Sequence, residues 1–106
     1  MDTADNLRDA NPWRAEPDPV KLTILGKLLE ELGELTAAAS RCVIQGVDAV
    51  HPVTEKPNTD WLAEEMIDVE SMLVFLRKYV LNLTGAPIDK RMERKRAHIE
   101  QWLASF

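Results

Sequence analysis

Apolar residues at alternating steps of three and four set the strongest limit on what this chain can become. Leu25, Leu28, Leu32, Leu35, Ala39 and Cys42 form one such stripe, and Leu62, Val69, Met72, Leu76 and Leu83 form a second. That spacing is the core-facing side of an amphipathic helix, and no stretch alternates as a half-buried strand would. Asp18 followed by Pro19 predicts an N-cap with proline at the first helical position, so the first helix is expected over 19–45 with Gly46 as its stop. Residues 46–59, GVDAVHPVTEKPNT, carry two prolines and little periodicity and read as a loop. The second helix is expected to begin near Asn58–Asp60 and run to about Asn82, with Gly85 ending it. Pro87 opens a third, from 87 to about 104, with a seam of Met92, Lys95, Ile99, Trp102 and Phe106. The expected fold is all-α: a helical bundle of two long antiparallel helices plus a third helix. Three helices of these lengths enclose a core poorly, so completion by a second copy is expected, as a homodimer or homotetramer. Residues 1–18, broken by Pro12 and Pro17, read as an N-terminal arm to a single domain over 19–106.

Charge and cysteine content narrow the function. A net charge of −5 lacks the basic face that nucleic acid or an anionic membrane requires. The single cysteine, Cys42, excludes an intrachain disulfide and a cysteine-built zinc site. With no membrane-length apolar run and no signal-peptide core, the expected location is the cytoplasm.

One residue breaks the second stripe. Between Leu62 and Val69 the seam position is Glu65, and a buried carboxylate needs a partner. Asp68 lies one turn later on the same side. The first helix repeats the device in LEELGEL, where Glu31 and Glu34 are three apart with Glu30 beside them. At about 100° per residue, Glu31 falls at the edge of the apolar stripe, next to Leu28 and Leu35. A lone E-x-x-E on a helix is usually a solvated face. Two pairs on successive helices, one inside a hydrophobic seam, are a different matter. If the helices pack antiparallel across their seams, Glu31, Glu34, Glu65 and Asp68 converge and repel one another unless a cation neutralises them. An all-oxygen set without cysteine or suitably spaced histidine selects a hard ion, Mg²⁺ foremost and Mn²⁺ next. A buried Glu65–Lys95 ion pair is the simpler alternative, but it leaves Glu31, Glu34 and Asp68 unexplained.

These residues resemble a known family. EELGE followed by EEMID is similar to the EExxE…ExxD signature of the all-α nucleoside triphosphate pyrophosphatases, the MazG-like superfamily with its dimeric dUTPases and dCTP pyrophosphatases. The likeness covers roughly residues 20–100. It implies a Mg²⁺-dependent enzyme that cuts between the α and β phosphates of nucleoside or deoxynucleoside triphosphates. By position, Glu31, Glu34, Glu65 and Asp68 become metal ligands, and Glu30 a ligand or an orienting neighbour. Glu31 or Glu34 is the expected general base. The 30 residues from 35 to 64 exceed the family's usual spacing, and the HPVTEKPNT loop carries the excess.

Phosphates call for cations, and DKRMERKRAHIEQW supplies them. Arg91 and Lys95, one turn apart, are the expected substrate-binding pair, with Lys95 also balancing developing charge in catalysis. Trp61, one turn before Glu65, is either a surface for stacking a base or a packing anchor. Only four glycines are present, at 26, 33, 46 and 85, with no G-x-x-x-x-G-K-[ST] to cradle phosphates, so metals must hold most of the triphosphate charge. Competing readings are a non-enzymatic helical dimerisation module and a HEPN-type ribonuclease, whose Arg-to-His spacing Arg91 and His98 match in form. A di-iron carboxylate bundle is excluded, because neither histidine has a glutamate three residues before it.

Overall fold

The computed structural model describes residues 12–83 and 86–106, with 86–88 described as backbone alone. It contains three helices: α1 (Pro19–Gln45), α2 (Asn58–Phe75) and α3 (Ala86–Ala104). No strand occurs among the described residues, whose one β-type pairing is a single bridge between Val50 and Pro57.

Local chemistry accounts for both ends of α1. Asp18 Oδ1 accepts from the backbone N–H of Val20 at 2.8 Å and of Lys21 at 3.4 Å, satisfying donors that the first turn leaves free. Pro19 follows with its φ already suited to the helix. At the far end Gly46 has φ 103° and ψ 142°, while its N–H still donates to Cys42 O at 3.0 Å. Side chains rarely tolerate that backbone, so the chain leaves the helix at the glycine.

The connection from 46 to 57 is more ordered than its lack of periodicity suggests. His51 N–H donates to Lys56 O at 3.0 Å, Glu55 N–H to His51 O at 2.9 Å, and Asn58 N–H to Ala49 O at 2.9 Å. Glu55 turns the chain with φ 61°. His51 Nδ1 accepts from both Val53 and Thr54 N–H, each at 3.1 Å. The loop is thus a closed turn rather than a slack linker.

Helix α2 does not run uniformly to Asn82. After Phe75 it widens into a π-helical segment, Leu76–Leu81, which Asn82 ends in the left-handed region with φ 49° and ψ 42°. Leu83 N–H then donates to Arg77 O at 3.2 Å. Asparagine supplies the stop that was expected of Gly85, which lies outside the described residues.

α1 and α2 pack against each other, α1 also meets the π-helical segment, and α3 packs against none of them. The buried apolar residues are Leu28, Ala38, Cys42 and Val69, and no large side chain among the described residues is completely buried. Every residue of 89–106 is exposed, including the expected seam of Met92, Lys95, Ile99, Trp102 and Phe106. Trp102 and Phe106 meet each other edge to face at 5.2 Å. On α1, Leu29, Val43 and Ile44 are likewise exposed. No described helix is long and apolar enough to cross a membrane.

Two glycine substitutions test this account of α1. Gly46 and Gly26 both have open space where a Cβ would sit. Gly46→Ala is expected to destabilise by about 1–3 kcal/mol through backbone strain alone. Gly26→Ala, in the helix interior, is expected to stabilise by roughly 0.5–1 kcal/mol. Urea unfolding of the two variants beside the wild type reads both signs.

Candidate metal centre

The register between α1 and α2 is set where the chain turns. Asn58 is only 4% exposed. Its Nδ2 donates to Gln45 Oε1 at 3.2 Å and to Gly46 O at 3.0 Å, and Cys42 Sγ lies 4.0 Å from Asn58 O. The start of α2 is thereby pinned to the end of α1, with the helices running in opposite directions. Glu34 and Glu31 lie eight and eleven residues back from Cys42, and Glu65 and Asp68 seven and ten residues on from Asn58. At about 1.5 Å of rise per residue, these are nearly equal distances along the two helices. The carboxylates therefore meet.

Glu31, Glu34, Glu65 and Asp68 each offer an oxygen, and these four atoms all lie within 4.8 Å of one another. Glu31 is buried at 8% exposure, Glu65 is half-buried, and Glu34 and Asp68 are exposed. Two of its members are thus withdrawn from solvent wholly or in part, and two meet it. Glu31 Oε2 and Glu65 Oε2 are fully buried and have no hydrogen-bond partner. An orphaned buried carboxylate oxygen costs free energy, and two in one cluster add mutual repulsion. A divalent cation removes both penalties together. Opposite oxygens around Mg²⁺ are about 4.2 Å apart and around Ca²⁺ about 4.8 Å, so one hard ion can span this group. The donors are all carboxylate oxygens, which fits such an ion and suits softer metals poorly.

A cation already touches the cluster from within the chain. Lys27 Nζ lies 3.3 Å from Glu31 Oε1 and 3.2 Å from Glu30 Oε1. The hydrogen bond to Glu30 and then that to Glu31 hold the Lys27 ammonium above its usual value. A raised value adds stability below the ordinary lysine range and loses it only above that range, so near neutrality the pairing is fully in force. Lys27 belongs to the site's surroundings, and its i,i+4 spacing from Glu31 is the sequence signal for that. Glu30 is exposed and turned to Lys27, outside the four-carboxylate group.

The remaining expected site residues lie elsewhere. Arg91 and Lys95 line a groove of about 560 Å³ with Leu73, Leu76, Leu81 and Met92, and none of the four carboxylates belongs to it. Among the described residues no ion pair joins Lys95 to Glu65; the pairs present are Lys27 with Glu30 and Glu31, Lys56–Glu64 and Arg96–Glu100. Trp61 is half-buried, with Lys56 Nζ 3.9 Å and the Arg41 guanidinium 5.5 Å from its ring centre. Two cations thus lie against the Trp61 ring at the mouth of the loop.

No protein-family model, no curated protein and no solved structure matches this chain.

Thermal melts with added cation check the metal centre. At a concentration about 100 times the Kd, Mg²⁺ or Mn²⁺ is expected to stabilise the wild type by about 2.7 kcal/mol. Glu65→Gln keeps the volume and removes one repelling charge, so the metal-free variant is expected to melt no lower than the wild type. Its shift with cation should largely vanish. A wild type whose melting ignores both ions has no cation site here.

Proposed function

We propose that the protein is a metal-dependent nucleoside triphosphate pyrophosphohydrolase, cutting (d)NTPs between the α and β phosphates to give (d)NMP and pyrophosphate. One observation carries the reading: buried, unpartnered carboxylate oxygens on Glu31 and Glu65, two members of a four-carboxylate cluster. Buried polar atoms nearly always have a partner, and a divalent cation would supply the one these two oxygens lack. The resemblance of EELGE and EEMID to the MazG-like signature supplies the reaction class.

Glu31, Glu34, Glu65 and Asp68 would hold Mg²⁺, with Mn²⁺ as its substitute. When bound, the ion supplies charge neutralisation for phosphate oxygens and eases deprotonation of a water. The buried Glu31 and Glu65 form the fixed back of the site. Glu34 stands at the exposed front, where solvent can reach it, and is the better general base of the two considered. Glu31 already shares one oxygen with Lys27. Lys27 offsets negative charge at the edge of the cluster and orients the Glu31 carboxylate.

Arg91 and Lys95 would contact phosphate from a second copy of the chain. Within one chain α3 is unpacked and lines a separate groove. The exposed apolar residues of all three helices support a bundle closed by oligomerisation. That same surface favours the second reading, a helical dimerisation module without catalysis, in which the acidic cluster is an incidental neighbour of the interface.

Product analysis separates the two. Incubation with a panel of triphosphates and Mg²⁺ is expected to give monophosphate and pyrophosphate, with solvent ¹⁸O in the monophosphate. Diphosphate plus orthophosphate would overturn the assignment, and no turnover would favour the dimerisation module. Glu65→Gln is expected to lower kcat/KM by more than about 100-fold, beyond the loss typical of residues that merely support a metal ligand. Lys95→Met should keep the fold and lose turnover.

A further inference from the structure

Helix α1 has two apolar faces, and the hairpin covers one of them. Leu28, Ala38 and Cys42 are buried. Leu29, Ala39 and Val43, each one residue further on and so about 100° around the helix, are exposed, and Leu22, Leu32 and Thr36 continue their stripe. Among the described helices only α2 and its π-helical extension pack against α1. A contiguous exposed apolar stripe of this kind marks an interaction surface.

The stripe is uneven in relief. Leu29 and Leu32 stand out in its first half. Its second half holds a hollow of about 460 Å³, lined by Leu35, Thr36, Ala39, Ser40, Val43 and Ile44. Thr36, Ala39, Ser40 and Val43 have the i, i+3, i+4, i+7 spacing of the hole that receives one side chain from a facing helix. Three of the four are small, which leaves room for a leucine.

A second α1, turned antiparallel about a two-fold axis at Thr36, supplies that leucine. The rotation sets Leu32 of the second copy level with Ser40, inside the hole, and Leu29 level with Val43. Each copy then gives one knob and receives one, as an isologous contact requires. Other arrangements fit worse. Parallel helices in register would face hollow against hollow and Glu30 against Glu30. Moving the antiparallel axis one turn towards the N-terminus brings the two Leu32 side chains together. Moving it one turn the other way sets Leu32 level with Val47, past the end of the helix at Gln45.

Charge favours the same orientation. Glu30 and Arg41 lie on one flank of the stripe, about 120° and 140° around from Thr36. Antiparallel pairing at Thr36 sets Glu30 of one copy level with Cys42, beside Arg41 of the other. Arg41 has no ion pair among the described residues. Rim pairs of this kind fix orientation more than strength.

We infer that the outer face of α1 is a self-association surface, on which a second copy of this chain docks its own α1 antiparallel about Thr36, with Leu32 seated among Thr36, Ala39, Ser40 and Val43. The carboxylate cluster lies on the far side of α1, with Glu31 and Glu34 about 140–160° around from Thr36. The inference therefore stands apart from the hydrolase reading.

Sedimentation of the full chain over a dilution series tests the face. Ser40 is exposed, and its Oγ bonds only to Thr36 O of its own helix, so a single copy accommodates Ser40→Arg. We expect the wild type to associate, Ser40→Ala to match it, and Ser40→Arg to weaken association by about 100-fold or more at unchanged helicity. Cross-linking reads the orientation. Leu32→Cys and Ser40→Cys proteins, oxidised alone and as a mixture, are expected to join position 32 to position 40 in the mixture and to form no cross-link alone. The wild type, with Cys42 buried, is the control. A chain that stays monomeric at every concentration, association that Ser40→Arg leaves unchanged, self-cross-linking of either variant, or a mixture that gives no cross-link overturns the inference.

Discussion

The Asn58 side chain is the clamp on which the functional geometry depends. Its amide reaches back across the turn to Gln45 and Gly46, and so decides which residues of α1 face which residues of α2. Helix propensity and apolar stripes permit several registers, since a stripe can slide by one turn at small cost. A buried amide with both hydrogens committed cannot slide, because a shift would strand polar groups away from water. From that fixed point, helical rise alone delivers two carboxylates from each helix to the same level.

The price of that meeting is electrostatic, and the structure leaves it partly unsettled. Leu28, Ala38 and Val69 supply the buried apolar surroundings, and Glu31 and Glu65 each present an oxygen there with no donor. Lys27 relieves Glu31 on one side only. Such an arrangement lowers the stability of the hairpin, and a bound cation would restore it.

Features governed by neighbours in sequence could be read from it, and those governed by contact could not. Asp18, Pro19 and Gly46 act within a turn of themselves, and α1 has the expected limits, Pro19–Gln45. Glu65 stood out because its neighbours in the stripe are apolar, and the four carboxylates that pattern singled out do come together. The π-helical segment left no trace in composition, because LRKYVL suits an α-helix as well. The ordered loop depends on a histidine ring accepting from two backbone groups, which no periodicity reveals. Lys95 sits in an apolar seam of the sequence, yet α3 packs against neither of the other helices, and that seam is exposed, with Met92 and Lys95 on an open groove beside the π-helical segment. Seams announce that something apolar will be covered, not by which molecule.

The π-helical segment Leu76–Leu81 continues the rod of α2 beyond Phe75. A π turn accommodates roughly one residue more than the α turn it replaces, and each residue in a helix corresponds to about 100° of rotation. Leu81 and Leu83, beside α3, take their facing from that extra residue, whereas Leu73, in the same groove, lies before the π-helical segment. Everything before it, including Glu65 and Asp68, is keyed to Asn58. Gain or loss of a residue between Leu76 and Leu81 would turn Leu81 and Leu83 about the helix axis relative to Leu73, with Glu65 and Asp68 upstream of the change. The groove thus straddles the point where the helical repeat changes, so one wall of it can turn while the carboxylate cluster keeps its register.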